Sequence, residues 1–508
     1  MLAANKNRLS LLNALSALSL TLVNGLLGII VTKLIIGRFG SDFNGLNATA
    51  NQIVNLLLIL EGGIATACAV ALFAPLGRKE HDTVNGILAA SAASFRRVGV
   101  AFLAVGTLVA LLYAWAVNSA LPFSFVLTLL LLTVLPAAFN LFYATAYRVL
   151  LQAEQREYVI SAITLFTLGG GHVANIVMIR LGGPAWSVRL ITALFGVLNS
   201  LLIVCYVKRK TLFLDWSAVP RPALIKGARD VMAQRVTGVI YGAAPLVFLS
   251  LFPTGGTVLA SVYAVYNNVF VMLKSLLHGV IDAPRHSFGH LLALRSKEQI
   301  WPTYAQYELL SFFAIFVLVC ACGALILPFI RLYTADLADA ARYADGGIAL
   351  LMIAITALEM MHIPSGHLMN MAGCFRASRH IQVLACTLLL GAMGIGSALW
   401  GIYGVLASVL LCATLLCVME MGYVHVWLFR ARLCALLRLL FPFVLVGIPL
   451  CYAEMRLAAQ LSAYGQLFVY GVFFTAVNAL IGLLIGWVFH KHELLALLAR
   501  GARLLRGG

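Results

Sequence analysis

Six polar residues line one face of an otherwise apolar segment, 258–284, near the middle of the chain. An α-helix turns about 100° per residue, which places these residues within an arc of about 100°: Tyr263, Asn267, Lys274, His278, Asp282 and Arg285. The amide, phenol and imidazole groups exchange hydrogen bonds, and Lys274 and Arg285 attract anions. The face is therefore a candidate binding surface. The alternative is a structural ion pair of Lys274 with Asp282 or Glu61.

A second polar face follows the segment 45–73. An arc of similar width, with Glu61 about 40° beyond its edge, holds Asn44, Asn47, Asn51, Asn55 and Thr66. An offset of 216 residues superposes Asn51 on Asn267 and Gly63 on Gly279. This short internal repeat predicts that both faces look into one central cleft. Charges near mid-span, such as Glu61 and Lys274, normally face an interior or a watery cavity.

A third polar face is predicted within 346–371. Its members are Thr356, Glu359, His362, His367 and Asn370. Pro364 and Gly366 are expected to break this helix. A broken helix at membrane depth is tolerated where it lines a cavity or is buried in protein, so a cavity wall and a packed kink are both open interpretations. Glu420 is a further mid-span acid with no obvious partner.

The elements that carry these faces are membrane spans. Of the 508 residues, 62% are hydrophobic and only 10% are charged, and the mean hydropathy is +0.99. About 20 apolar residues cross the roughly 30 Å hydrocarbon layer. We therefore predict an all-α polytopic membrane protein with about 14 transmembrane helices. The predicted spans are 10–36, 45–73, 98–117, 123–147, 158–180, 185–207, 236–252, 258–284, 307–330, 346–371, 381–400, 402–428, 436–454 and 463–489.

The positive charges predict the orientation of these spans. Lys and Arg collect on the side that holds the N-terminus, which the positive-inside rule assigns to the cytoplasm. Both termini are then cytoplasmic, and Arg180 and Arg189 are among the few outward charges. The net charge of +17 is interpreted as a topology signal and a match to anionic lipids, not as nucleic-acid binding. The spans divide into two six-helix lobes, 1–210 and 211–430, and two further spans with a basic tail, 431–508.

Several kinds of enzyme are excluded by what the sequence lacks. It contains no Gly-Lys dipeptide for a P-loop, no GxSxG and no HExxH. The ten cysteines are interpreted as packing residues, and His286 with His290 as an interfacial pair, so no metal or cofactor is predicted. The loops are too short to hold a catalytic domain. We therefore expect a protein that is not an enzyme.

Several short strings, taken together, resemble one known family. They are Phe-Asn-Gly-Leu at 43–46, Leu-Glu-Gly-Gly at 60–63, Leu-Phe-Ala-Pro-Leu at 72–76, Leu-Gln-Ala-Glu-Gln-Arg-Glu-Tyr at 151–158, Val-Tyr-Ala-Val-Tyr-Asn at 262–267, Ala-Gly-Cys-Phe-Arg at 372–376 and Gly-Ile-Tyr-Gly-Val at 401–405. Their order and spacing resemble bacterial polysaccharide-biosynthesis membrane proteins. These are the O-antigen, capsule and exopolysaccharide flippases of the multidrug/oligosaccharidyl-lipid/polysaccharide exporter (MOP) superfamily.

The resemblance implies two six-helix lobes around a central cavity in the bacterial cytoplasmic membrane. It also implies alternating access that moves a polyprenyl-pyrophosphate-linked oligosaccharide to the outer leaflet. The asparagines at 44, 47, 51, 55 and 267 would then bind sugar, and Lys274 and Arg285 would bind pyrophosphate. Glu61, Asp282 and Glu359 are candidates for coupling to H⁺ or Na⁺. Membrane lipids and a polysaccharide polymerase are the expected partners.

Three other functions stay open. The first is an ion-coupled drug or metabolite antiporter of the same superfamily. The second is an intramembrane glycosyltransferase or polymerase, which the short outward segment 331–345, without an obvious nucleophile, disfavours. The third is a scaffold, which has no reason to keep charges such as Glu61 and Lys274 in mid-bilayer.

Overall fold

The computed structural model describes residues 2–505 except 62, 212, 216–217, 226–227, 253–254 and 283. Side chains at 2–8, 10, 11, 14, 228–234, 286, 287, 289, 290, 293 and 500–505 also lie outside the description, and so the predicted interfacial pair of His286 and His290 does too. The described part of the chain is helical and contains no β-strand, which confirms the predicted all-α class.

Twelve helices among the described residues are long and apolar enough to cross a membrane. Large apolar side chains on their surfaces are 74–81% exposed, for example Trp115, Trp427 and Phe468. Apolar surface of this kind needs hydrocarbon around it, since soluble proteins rarely expose large apolar patches. The chain is therefore a multi-pass membrane protein.

The predicted count of about fourteen is close to this number. One of the twelve helices, Leu15–Glu61, has 47 residues, about 70 Å at 1.5 Å per residue. That is more than twice the hydrocarbon thickness of about 30 Å. Gly40 interrupts it with φ 85° and ψ 169°, between the predicted first and second spans. Two shorter apolar helices, Ile64–Arg78 and Arg235–Ser250, overlap the predicted spans 45–73 and 236–252. The number of spans therefore depends on whether these two helices are counted.

The chain divides into two compact units, Met1–Asn268 (the N-terminal unit) and Val269–Gly508 (the C-terminal unit). The predicted lobe boundaries remain a prediction. The helices that lie in the N-terminal unit or begin there are α1 (Leu2–Leu57), α2 (Ile64–Arg78), α3 (His81–Ala116), α4 (Phe123–Tyr143), α5 (Thr145–Ala153), α6 (Glu157–Arg180), α7 (Ala185–Lys210), α8 (Ala228–Ser250) and α9 (Gly256–Ile281). The boundary between the units falls within α9.

Helices α1, α4, α6, α7 and α8 pack together in the N-terminal unit. Helix α1 packs on α6 and α8, while α7 packs on both α4 and α6. An apolar core that includes Phe43, Leu46, Phe102 and Leu130 lies beside these contacts. Gly45 permits a close approach, because a Cβ there would lie 1.7 Å from the carbonyl oxygen of Thr257.

The C-terminal unit contains the other ten helices. They are α10 (Arg285–Leu294), α11 (Lys297–Thr334), α12 (Ala340–Tyr343), α13 (Gly346–Met361), α14 (Ile363–Met371), α15 (Phe375–Trp400), α16 (Ile402–Leu416), α17 (Leu433–Ala458), α18 (Tyr464–Phe489) and α19 (Lys491–Leu505). Helix α11 begins at a capping box of Ser296 and Gln299 and packs on α13, α17 and α18. It is the central helix of this unit.

Two irregular helices of the C-terminal unit lie beside its polar residues. The predicted break within 346–371 is present, since α13 ends at Met361 and α14 begins at Ile363 with Pro364 in its first turn. Helix α16 continues as wider π-helical turns over Cys417–Met421 and Tyr423–Leu428. π-Helical turns are frequent at functional sites.

Candidate functional site

An ion pair occupies a helix break in the N-terminal unit. A 3₁₀ turn ends at Glu61, and Gly63 has a φ of 76° before α2 begins. Glu61 is 7% exposed, and its Oε2 lies 2.9 Å from Nη2 of Arg235. A buried carboxylate is tolerated when it is paired, so Arg235 explains how this mid-span acid is accommodated. The predicted equivalent of Gly63, Gly279, lies instead within the continuous helix α9.

A second cation, Arg189 on α7, is buried and donates hydrogen bonds to the polar face of α1. The guanidinium of Arg189 on α7 donates from Nη1 and Nη2 to Oδ1 of Asn51 at 3.2 Å, and from Nη2 to the carbonyl oxygen of Asn47 at 2.9 Å. Arg189 is only 4% exposed. Arg189, one of the predicted outward charges, is thus buried against α1, and the side of the membrane on which it lies remains a prediction.

Arg189 and Asn51 line a cavity within the N-terminal unit. Its volume is about 330 Å³, and α1, α4, α5, α6 and α7 contribute to its walls. Its polar lining residues are Asn51, Thr133, Asn140, Arg148, Thr164, Thr167, His172, Asn175, Arg189, Thr192, Asn199 and Ser200. A volume in this range suits a small polar molecule or ion.

The other predicted asparagines of the N-terminal unit have different surroundings. Asn44 is buried and donates to Oγ of Ser261 at 2.7 Å. Asn55 is exposed and donates to Oε1 of Gln52 at 3.1 Å, while Asn267 is half-buried on α9. Only Asn51 therefore lines the cavity, and Asn44 has a packing contact of the kind that fixes one helix against another.

Lys274 forms an ion pair within the C-terminal unit. Its Nζ lies 3.0 Å from Oε2 of Glu359 on α13, and the side chains are 23% and 11% exposed. The sequence analysis proposes Asp282 or Glu61 as the partner of Lys274, and the structure shows Glu359 instead. Two predicted polar faces thus meet at this pair.

A cluster of imidazoles and a carboxylate follows at the end of α9. Oδ1 of Asp282 lies 3.2 Å from Nδ1 of His278 and 3.5 Å from Nε2 of His367. The pKa of Asp282 lies below its ordinary value: burial raises it, but the hydrogen bond and charge of His278, with His367 and Arg285, lower it by more. Nε of Arg285 is buried and has no hydrogen-bond partner among the described groups.

Glu420 is paired at the break between α13 and α14. Its side chain is 1% exposed, and its Oε2 lies 2.9 Å from Nδ1 of His362. The irregular backbone makes room for this contact, since a Cβ on Gly366 would lie 2.9 Å from the same carboxylate oxygen. The break therefore positions a buried acid beside a base, and the cavity wall and the packed kink both stay open as interpretations.

A fourth pair is deeply buried and was not predicted. Oε2 of Glu308 lies 3.2 Å from Nε2 of His425, and both side chains are 1% exposed. The hydroxyl of Tyr304 donates to Oε1 of Glu308 at 2.7 Å and lies 2.8 Å from Oγ of Ser365. This network joins α11, α14 and the π-helical end of α16. An acid, a base and hydroxyls in series can hold and pass a proton.

The periodicity of polar residues in the sequence predicted part of this arrangement. It identified Glu61, Lys274 and Glu359, each of which lies in a buried ion pair, and Asn51 in a cavity. It missed Arg189, Glu308 and His425. Each of these lies inside a predicted span, so an ionisable residue within an apolar run was the available signal. Among the described residues, no group of three His, Cys, Asp or Glu side chains could hold a metal ion.

The comparisons with known proteins identify the fold. No protein family and no curated protein matches the sequence. The lipid II flippase MurJ, in an inward closed conformation, superposes with a TM-score of 0.72 over 93% of this chain and 98% of that chain, at 12% identity. An inward-facing multidrug resistance MATE transporter of the MOP superfamily superposes with a TM-score of 0.65 over 81% of this chain and 97% of that chain, at 14% identity.

A further MATE multidrug transporter, DinF-BH, gives a TM-score of 0.60 over 84% of this chain and 96% of that chain, at 14% identity. At these identities the comparisons show the fold alone. The chain therefore shares its fold with this flippase and with these MATE transporters.

Proposed function

We propose that the chain is a flippase that moves a polyprenyl-pyrophosphate-linked oligosaccharide from the inner to the outer leaflet of the bacterial cytoplasmic membrane, for surface polysaccharide synthesis. The observation that carries this proposal is the extent of the fold match. The flippase accounts for 93% of this chain, and the two MATE transporters for 81% and 84%. The strings that resemble polysaccharide flippases support the same choice of cargo.

The polar groups of the C-terminal unit support transport of a polar cargo. Buried charges at Lys274, Glu359 and Glu420 cost free energy in a bilayer, and a scaffold would gain nothing from them. Arg285 has a buried Nε without a described partner, which suits it to a phosphate oxygen. Lys274 would bind phosphate only by exchanging Glu359 for the cargo. The lipid tail would stay in the bilayer during alternating access.

We further propose that transport is coupled to protons through the acid–base pairs of the C-terminal unit. Glu420 with His362 and Glu308 with His425 each place a carboxylate within 3.2 Å of an imidazole. Each pair can hold one proton between two groups that both accept it, so the gain or loss of one further proton changes the net charge of the pair by one. A sodium site is the alternative, and it would require carboxylates that are free of such bases.

Reconstitution tests the proposed cargo directly. The purified protein is placed in proteoliposomes whose polyprenyl-pyrophosphate-linked oligosaccharide starts in the inner leaflet. A membrane-impermeant glycosidase outside then trims only the glycolipid that has crossed. We expect trimming to exceed that in protein-free vesicles by about tenfold or more, since unassisted crossing requires burial of the polar head group in hydrocarbon.

The same vesicles test the antiporter alternative. A cationic fluorescent drug is added outside, and its movement is followed while a proton gradient is imposed. Drug movement driven by the gradient, with glycolipid trimming no faster than in protein-free vesicles, would overturn the proposed cargo and establish antiport.

A further inference from the structure

The cavity of the N-terminal unit contains positive charge without a described counter-charge. Arg189 and Arg148 both line it, and none of its described lining residues is Asp or Glu. Neither arginine takes part in the described ion pairs. A buried guanidinium without a counter-ion is costly, and Arg189 is only 4% exposed. An anion bound in the cavity would offset this cost.

Each of the two arginines has a buried N–H group for which no hydrogen-bond partner is described. Three donated bonds link the guanidinium of Arg189 to Asn51 and Asn47, and a guanidinium has five N–H groups. Its Nε is buried and has no described partner. Nη2 of Arg148 donates to Oδ1 of Asn199, and Nε of Arg148 is likewise buried without a described partner.

The cavity also offers acceptors. Oδ1 of Asn140 and Oδ1 of Asn175 are buried and have no described partner, and both residues line the cavity. Chloride accepts hydrogen bonds and donates none. An oxyanion that carries a hydroxyl group both accepts from a guanidinium and donates to an amide oxygen, so it matches this mixed lining.

The length of the cavity decides which arginine is the main anchor. Arg189 and Asn199, the partner of Arg148, lie ten residues apart on α7, about 15 Å along the helix axis. A small anion therefore reaches one guanidinium at a time. Arg189 is the more buried of the two and donates to two residues of α1, Asn47 and Asn51. A volume of about 330 Å³ leaves room for such an anion at this end.

We propose that this cavity is a binding site for a small hydroxyl-bearing oxyanion, of the hydrogen phosphate or bicarbonate class, anchored by Arg189. The proposal does not depend on the cargo of the protein. It gives the N-terminal unit an ionic ligand of its own.

Thermal unfolding of the purified protein in detergent tests this site. Sodium phosphate and sodium bicarbonate are compared with sodium chloride at equal ionic strength, so that screening of surface charges is the same in all samples. We expect phosphate or bicarbonate to raise the Tm by several degrees above chloride, because a ligand that binds only the folded state stabilises it.

Two variants and a matched control locate the effect. Arg189→Gln should remove the oxyanion-dependent shift in Tm, and Arg180→Gln, which changes an exposed arginine on α6, should keep it. Arg189→Lys retains the charge but not the planar fork, and it should weaken binding of radiolabelled phosphate by about tenfold. It also covers the case in which Arg189→Gln does not fold. An equal shift with chloride, or a shift that persists in both Arg189 variants, would overturn the proposal.

Discussion

At the scale of single residues, each described buried acid of the C-terminal unit contacts a base or an amide, while Glu308, Glu420 and Glu454 each keep one buried oxygen without a described hydrogen-bond partner. Glu359, Glu420 and Glu308 pair with Lys274, His362 and His425, and Glu454 accepts from Nδ2 of Asn478 at 3.3 Å. Pairing lowers the cost of burial, yet a pair of this kind is often no more stable than apolar residues of similar size. Such pairs are therefore better explained by a function than by stability.

The pair of Lys274 and Glu359 can be tested by a double-mutant cycle. Lys274→Ala or Glu359→Ala alone leaves a charge without its partner and should reduce the free energy of unfolding by about 3 kcal/mol. The double variant should be destabilised by less than the sum of the two. Thermal unfolding in detergent measures all four proteins. Additive effects would show that the pair contributes no coupling, and Lys274 would then be interpreted as a free cation.

At the scale of elements, the strings that resemble polysaccharide flippases fall where helices break or approach closely. Gly63 and Gly373 have φ of 76° and 73° at helix ends. Tyr403 donates to the carboxylate of Asp345, at 2.7 Å to Oδ1, and the same oxygen accepts from the backbone N–H of Gly347 at the start of α13. These residues specify the architecture, so their resemblance predicts the fold better than it predicts the cargo.

The crossing of α15 and α16 gives a prediction at this scale. The two helices touch through backbone, because a Cβ on Gly404 would lie 1.8 Å from the carbonyl oxygen of Gly396. Small residues allow such approaches between membrane helices. Gly404→Ala should therefore separate the helices and lower the Tm by several degrees or prevent folding.

Gly394→Ala is the matched control for this variant. Gly394 lies on α15, the helix that carries Gly396, and a Cβ there would meet nothing within 4 Å. Replacing a helical glycine with alanine at an open position is neutral or stabilising by up to about 1 kcal/mol. Thermal unfolding and yield of monodisperse protein compare the two. Equal behaviour of both variants would show that the close crossing does not contribute to stability.

The sequence predicted the elements better than it predicted the contacts between them. Apolar runs gave the all-α class, and Pro364 gave the break before α14, because length, hydropathy and the missing N–H of proline are local properties. The predicted ion-pair partners of Lys274 and Glu61 were wrong, because the partner of each residue depends on which helices pack together. The burial of Arg189 was not predicted, because a charge near the end of a span has the same place in the sequence whether it lies in a loop or inside the helix bundle.

At the scale of the whole molecule, two compact units each contain their own polar centre. The N-terminal unit holds a cavity with Arg189 and Arg148, and the C-terminal unit holds carboxylates paired with cations and imidazoles. The centres thus differ in charge: an anion suits the first, and protons suit the second. We therefore expect the two units to bind different ions.

Leaflet accessibility of the lipid-linked oligosaccharide in spheroplasts would show whether the protein moves this glycolipid across the membrane. Wild type, a deletion strain and the deletion strain complemented with Lys274→Ala are compared, with membrane insertion of the variant verified. We expect the deletion to trap the glycolipid in the inner leaflet and Lys274→Ala to restore little of its outward exposure. Unchanged outward exposure in the deletion strain, with no second flippase present, would rule out the proposed flippase function.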